Sequence, residues 1–145
     1  MNLLKIVAVS ALVISGSALA TTPPTSSLPV FQTTNWNAEI QIYQAGTANR
    51  AQANQSGVSK SLTSIDQRGS QNKVGSNQTG NNSLVKVSQA GDWNNANVLQ
   101  AASSSITQIS QNGTGNYAQS NQYANGSLAN IQQFGTGNQA YASQH

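Results

Sequence analysis

Apolar and polar residues alternate along most of this chain with a period of two, the spacing that puts every second side chain on one face of a β-strand. Over residues 83–100 the pattern is plain. Ser83, Val85, Val87 and Gln89 share one face, while Leu84, Lys86 and Ser88 share the other. After a Gly-containing turn, Asn94, Ala96, Val98 and Gln100 resume the first face. The same frame occurs five times, over 38–55, 61–78, 83–100, 105–122 and 127–144. Each copy carries a leading Gln, a Gly two residues on, an Asn three further, a small apolar residue and a closing Gln. These are Gln44, Gly46, Asn49 and Gln55; Gln67, Gly69, Asn72 and Gln78; Gln89, Gly91, Asn94 and Gln100; Gln111, Gly113, Asn116 and Gln122; Gln133, Gly135, Asn138 and Gln144. Six residues ahead of the leading Gln stands Ser61, Ser83, Ser105 or Ser127, with Ala38 in the first copy. Successive leading Gln residues are 23, 22, 22 and 22 apart, because the first connection, Ser56 to Lys60, has five residues where the others have four.

A strand-turn-strand unit of this size is marginal alone, because both its strands are edges. Repeats with one period solve the problem by stacking, each strand pairing with its equivalents above and below. The expected fold is therefore all-β: a β-solenoid of five strand-turn-strand rungs, two parallel sheets face to face with cross-β spacing. At about 4.8 Å per rung it is about 24 Å tall. Its apolar interior is expected to be thin, mainly Ile42, Ile65, Val87, Ile109 and Ile131 against Ala51, Val74, Ala96, Ala118 and Ala140.

Composition changes meaning once the repeat is aligned. Asn and Gln number 18 each, so 36 of 145 residues carry a side-chain amide, a content that on its own suggests a disordered polar tract. Fifteen of them instead fall at fixed inward places, two Gln and one Asn per rung. A buried amide without a partner costs about 1–3 kcal/mol. In a stack, each meets its own copy one rung away, donor to acceptor, so the fifteen are expected to form ladders. The five glycines suit turn backbone at positive φ.

The first outward position reads Glu39, Leu62, Leu84, Ile106 and Leu128, an exposed aliphatic stripe. The alternative register would put these leucines inside and Thr63, Val85, Thr107 and Ala129 outside, at the cost of the face that Ser and Gln share.

Chemistry is scarce. The chain has no Cys, and its single His is His145. That excludes thiolate metal sites and leaves no triad, and Glu39, Asp66 and Asp92 are too few and scattered for a carboxylate pair. No cofactor, metal site or enzymatic activity is expected. The Gly-rich turns lack the Lys of a phosphate loop. The net charge of +3 includes Lys5 and otherwise rests on Arg50, Lys60, Arg68, Lys73 and Lys86, which make no nucleic-acid patch. Scattered charge in the inner units, with none in the last before His145, suits controlled nucleation. Residues 1–20 read as an export signal: Lys5, an apolar run from Ile6 to Ile14 and a cleavage site after Ala18-Leu19-Ala20. Residues 21–37, with Pro23, Pro24 and Pro29 among Thr and Ser, form a separate tract unsuited to capping the stack. Two open ends expose strand edges and unmatched amides. Contacts between unlike ends do not close, so they propagate as a filament. The competing reading is a monomeric solenoid that binds ice or carbohydrate on a flat outer face, but the outward column Tyr43, Asp66, Ser88, Ser110 and Gln132 is mixed.

The repeat Ser-x5-Gln-x-Gly-x-x-Asn-x-Ala-x3-Gln, together with the leader ending Gly16-Ser-Ala-Leu-Ala20, resembles curlin, the subunit of bacterial curli fibres. The resemblance covers 38–144 and the leader, and favours the major over the minor, nucleating subunit because the last repeat is intact. It implies an extracellular amyloid fibre at the surface of a Gram-negative bacterium, serving biofilm matrix, adhesion and surface colonisation. The partners it implies are other copies of the chain, a minor nucleator subunit, an outer-membrane secretion channel with accessory factors, and host matrix proteins. By the same resemblance 38–145 is the amyloid core, 21–37 targets secretion, and Gln44, Asn49, Gln133 and Asn138 in the end repeats drive polymerisation.

Overall fold

A computed structural model describes residues 38–145. The expected export signal and the Pro-rich tract lie outside the described residues.

Ten strands follow one another in five pairs. They are β1 (Ala38–Thr47), β2 (Arg50–Gln55), β3 (Ser61–Ser70), β4 (Lys73–Gln78), β5 (Leu84–Asp92), β6 (Asn95–Gln100), β7 (Ile106–Thr114), β8 (Tyr117–Gln122), β9 (Leu128–Thr136) and β10 (Gln139–Gln144). Odd strands form one parallel sheet in the order β1-β3-β5-β7-β9, and even strands form a second in the order β10-β8-β6-β4-β2. The molecule is a five-rung β-solenoid. Register is strict: Gln44 opposes Gln67 and Gly46 opposes Gly69, Gln89 opposes Gln111, and Gln55 opposes Gln78. The extra residue of the first connection is taken up beside Gly57, in the left-handed region at φ +65°.

The burial pattern settles the register. Thr63, Val85, Thr107 and Ala129 are buried, whereas Ile106 and Leu128 are exposed and Leu62 and Leu84 half-buried. The aliphatic column therefore faces outward. The interior is richer than one apolar pair per rung. Besides Ile65, Val87, Ile109 and Ile131 with Ala51, Val74, Ala96 and Ala118, a second set joins the core: Val85, Val98 and Ala53, with Ile40 and Ala142 packed against it. Burying one such aliphatic contributes about 1.5–3 kcal/mol. In the second and fourth rungs this second set turns polar, as Thr63 with Ser76 and Thr107 with Ser120. The threonines donate to amide oxygens of Gln78 and Gln122, at 3.1 and 2.8 Å. The Ser76 and Ser120 hydroxyls are buried without a partner.

The glycine column occupies a different place from the turn the sequence suggests. Gly46, Gly69, Gly91, Gly113 and Gly135 lie one residue before the ends of odd strands, at φ between +104° and +129°. A Cβ on Gly46, Gly69, Gly91 or Gly113 would overlap the carbonyl oxygen of the glycine one rung on. Close approach of rungs, as much as backbone freedom, requires glycine there. The tight turn follows two residues later. Its left-handed residue is Ala48, Gln71 or Trp93 in the first three rungs and Gly115 or Gly137 in the last two.

Two glycine substitutions separate approach from conformation. Gly57 also has positive φ, but open space surrounds its Cβ direction. Gly57→Ala is expected to lower stability by about 1–2 kcal/mol, the cost of a left-handed non-Gly residue. Gly69→Ala adds the overlap with Gly91 and is expected to cost more than about 3 kcal/mol. Urea unfolding of the two variants measures the difference.

Candidate functional site: the stacked amides and the two end faces

The fold brings the fifteen repeat amides into three columns. In the first, the Nε2 group of Gln44 donates to Oε1 of Gln67 at 2.6 Å, Gln67 to Gln89 at 2.9 Å, Gln89 to Gln111 at 2.7 Å and Gln111 to Gln133 at 2.8 Å. In the second, Gln55 donates to Gln78, Gln78 to Gln100, Gln100 to Gln122 and Gln122 to Gln144, over 2.7–3.1 Å. Both columns donate toward the last rung. Their remaining N–H bonds mostly go to backbone: Gln89 to Lys73 O at 3.0 Å, Gln122 to Ile106 O at 3.0 Å and Gln133 to Tyr117 O at 2.9 Å. From the second rung to the fourth these glutamines are fully buried, so their amides have no water to fall back on.

The Asn column does more. Nδ2 of Asn72, Asn94 and Asn116 donates back to Oδ1 of the preceding Asn at 3.1 Å. The same Oδ1 accepts the backbone N–H of the next Asn, as Asn72 N to Asn49 at 3.0 Å and Asn138 N to Asn116 at 3.0 Å. Nδ2 also reaches forward to the glycine carbonyl of the next rung, from Asn49 to Gly69 at 2.8 Å and from Asn116 to Gly135 at 2.9 Å. Asn72, Asn94 and Asn116 thus bond to rungs on both sides, and the glycines make that reach possible. The sequence did not reveal this link between Asn and Gly columns. Nor did it reveal the role of the serines. Ser61 Oγ donates to Gly80 O and Ser83 Oγ to Ala102 O, both at 3.0 Å, while Ser83 Oγ accepts from Ser105 N at 3.2 Å. Their fixed spacing was the available signal.

The columns stop at two chemically different faces. On the first rung, Oε1 of Gln44 and Gln55 accepts no hydrogen bond among the described residues. On the fifth rung, Gln133 and Gln144 each use one N–H on a backbone carbonyl and have one left. Among the described residues Asn138 Nδ2 bonds only Phe134 O, where Asn116 also reaches a further rung. The Cβ direction of Gly135 meets only Asn138 Nδ2 at 3.6 Å, in contrast to the glycines beneath it. The edge strands are β1 and β2 on one face and β9 and β10 on the other.

Charge lies toward the first face. Arg50 and Lys73 stand in register as exposed like charges, and Arg68 pairs with Asp66 at 3.1 Å on the surface. Among the described residues, no group of three or more metal-ligating side chains comes together.

The ladders make unequal demands at the middle and the end. Gln89→Leu removes the donor to Gln111 and the acceptor of Gln67, both buried, and is expected to cost about 2–4 kcal/mol. Gln44→Leu, half-buried on the first rung, removes only the donor to Gln67 and is expected to cost about 1 kcal/mol. Chemical denaturation of the two variants tests the ranking.

Residues 61–91 and 80–113 match the family profile of the curlin associated repeat. No curated protein sequence matches the chain. The matched stretches begin at β3 and end in β7, and the units on either side continue the same columns in register. In its five stacked rungs and its two matched stretches, this chain is similar to proteins built from the curlin associated repeat.

Proposed function

We propose that this chain is a structural subunit that assembles head to tail into an extracellular cross-β fibre of the curli type, in the manner of a major fibre subunit. The single observation that carries the reading is the complementarity of its two end faces. Laid on the first rung of a second copy in the intramolecular register, the fifth rung sets Gln133 against Gln44, Asn138 against Asn49, Gly135 against Gly46 and Gln144 against Gln55. Spare amide N–H groups then meet spare amide oxygens. Ile131 falls on Ile42, Ala140 on Ala51, and no two charges coincide. The junction is heterologous and open, so it repeats indefinitely. In this reading the fifteen ladder amides are the amyloid-stacking residues, within and between copies.

The family resemblance adds the setting: export from a Gram-negative cell by residues 1–20, secretion targeting by 21–37 through an outer-membrane channel with accessory factors, initiation by a minor nucleator, and a surface fibre for biofilm matrix, adhesion, colonisation and contact with host matrix proteins. A monomeric ligand-binding solenoid is the second reading. It gains ground if the full chain stays monomeric when offered preformed fibre.

Gly135 provides the sharpest test. Its replacement by Ala leaves room within one chain but sets a methyl against the Gly46 carbonyl of the next. Gly135→Ala is expected to add to a fibre end by its first rung and then stop growth there. Present as a minority component, it should cut seeded elongation about ten-fold or more, since even 1.4 kcal/mol lost at the junction gives that factor. Gly57→Ala, which faces open space, serves as the control. Thioflavin-monitored growth from seeds that proceeds equally with either variant contradicts the head-to-tail junction.

A further inference from the structure

The chain has four tyrosines, and the fold brings two of them together. Tyr117 on β8 and Tyr141 on β10 project from the outer face of the even sheet, with ring centroids 5.7 Å apart and planes tilted by 46°. They are diagonal neighbours: Tyr117 opposes Gln139 and Tyr141 opposes Gln119. Each phenol donates to the glutamine two residues away on its own strand, Tyr117 to Gln119 Oε1 at 3.1 Å and Tyr141 to Gln139 Oε1 at 3.4 Å. These bonds lay both rings along the sheet surface, and the parallel register fixes their separation. Tyr141 is 66% exposed and Tyr117 half-buried, so both are open to oxidants in solution. The other tyrosines have different company. Tyr43 lies under the Arg68 guanidinium at 5.7 Å, and Tyr123 stacks on His145 at 5.3 Å. No thiol is present to intercept a radical.

We propose that Tyr117 and Tyr141 form an oxidative cross-linking site, at which a one-electron oxidant of the haem-peroxidase class, fed by hydrogen peroxide, joins the last two rungs through a dityrosine bond. Each phenol loses one electron and its phenolic proton. The two phenoxyl radicals couple through a carbon ortho to each oxygen, forming one C–C bond. The ring hydrogens at the joined carbons then move to the oxygens and restore two phenols. In total two hydrogen atoms leave the protein, and one peroxide is reduced to two waters. The product is a covalent tie between β8 and β10, across the rung whose inward residues Ala140 and Ala142 are only half-buried. The tie is within one chain. In the head-to-tail register, Tyr141 meets Gln52 of the next copy and Tyr123 lies beyond His145, so no tyrosine pair spans a junction. The inference stands on the folded chain alone and does not require that chains associate.

The test treats the folded full chain with peroxidase and peroxide, then reads dityrosine fluorescence, denaturing electrophoresis and the masses of digested peptides. The expected result is dityrosine emission from a species that still runs as a monomer. It should contain one cross-linked peptide pair holding Tyr117 and Tyr141, two hydrogens lighter than the sum. Tyr117→Phe and Tyr141→Phe should each abolish the emission, while Tyr43→Phe and Tyr123→Phe leave it unchanged. Unfolding in urea before oxidation should remove the selectivity. The proposal is overturned by covalent dimers as the main product, by cross-links centred on Tyr43 or Tyr123, by no dityrosine at all, or by equal selectivity in urea.

Discussion

The spacing between parallel strands governs this molecule. Backbone hydrogen bonds hold successive rungs about 4.8 Å apart, and strict register sets each residue beside its counterpart in the repeat. Every inward position must therefore suit a neighbour of its own kind at that distance. An amide does, because it is donor and acceptor at once, and the two Gln columns run unbroken from Gln44 to Gln133 and from Gln55 to Gln144. A carboxylate or ammonium group does not, and none is buried among the described residues. Small apolar residues also stack without conflict, as Ala51, Val74, Ala96 and Ala118 do. The glycine column obeys the same rule more severely, since the carbonyl of one glycine fills the space where the Cβ of its neighbour would stand.

Such a core divides its work between apolar contact and hydrogen bonding in an unusual proportion. The apolar layer is only a few residues wide, and buried glutamines rank in volume beside its largest aliphatics. Polar satisfaction is close to complete. Among the buried side chains of the described residues, only the Ser76 and Ser120 hydroxyls have no partner, and both belong to rungs where threonine bonds into the Gln column instead. The first, third and fifth rungs carry Ile40 with Ala53, Val85 with Val98 and Ala129 with Ala142 at those positions. Because the number of rungs is odd, both end faces present the apolar version. A head-to-tail junction then buries no unpartnered hydroxyl. The fold, and with it the proposed assembly, follows from one condition, that a rung be compatible with its own copy.

Much of this was legible in the sequence because the repeat reports the constraint directly. Five copies of one frame, each with period two, gave the strands, the parallel register and the inward amides. The face that Ser83 and Gln89 share with Val85 and Val87 favoured the inward register, and burial of Val85 settled it. What escaped was contact between columns that are not identical. The bond from Asn72 Nδ2 to Gly91 O joins different positions of neighbouring rungs, so aligning like with like does not show it. The glycines read as turn residues, whereas their place at strand ends depends on backbone approach in three dimensions. Left-handed Gln71 and Trp93 were invisible for a related reason: turn geometry inherited from the stack overrides the preference of the single residue. The Tyr117–Tyr141 pair needed the diagonal offset between β8 and β10.

Hydrogen exchange of side-chain amides reaches the central claim most directly. In the folded chain, the Nε2 hydrogens of Gln89 and Gln111 are expected to exchange as slowly as the backbone amides around them, because only opening of the stack releases them. The exposed amides of Gln52 and Gln132 provide the fast reference. If Gln89 and Gln111 exchange at the rate of Gln52 while the backbone stays protected, the amide ladders do not hold the rungs together.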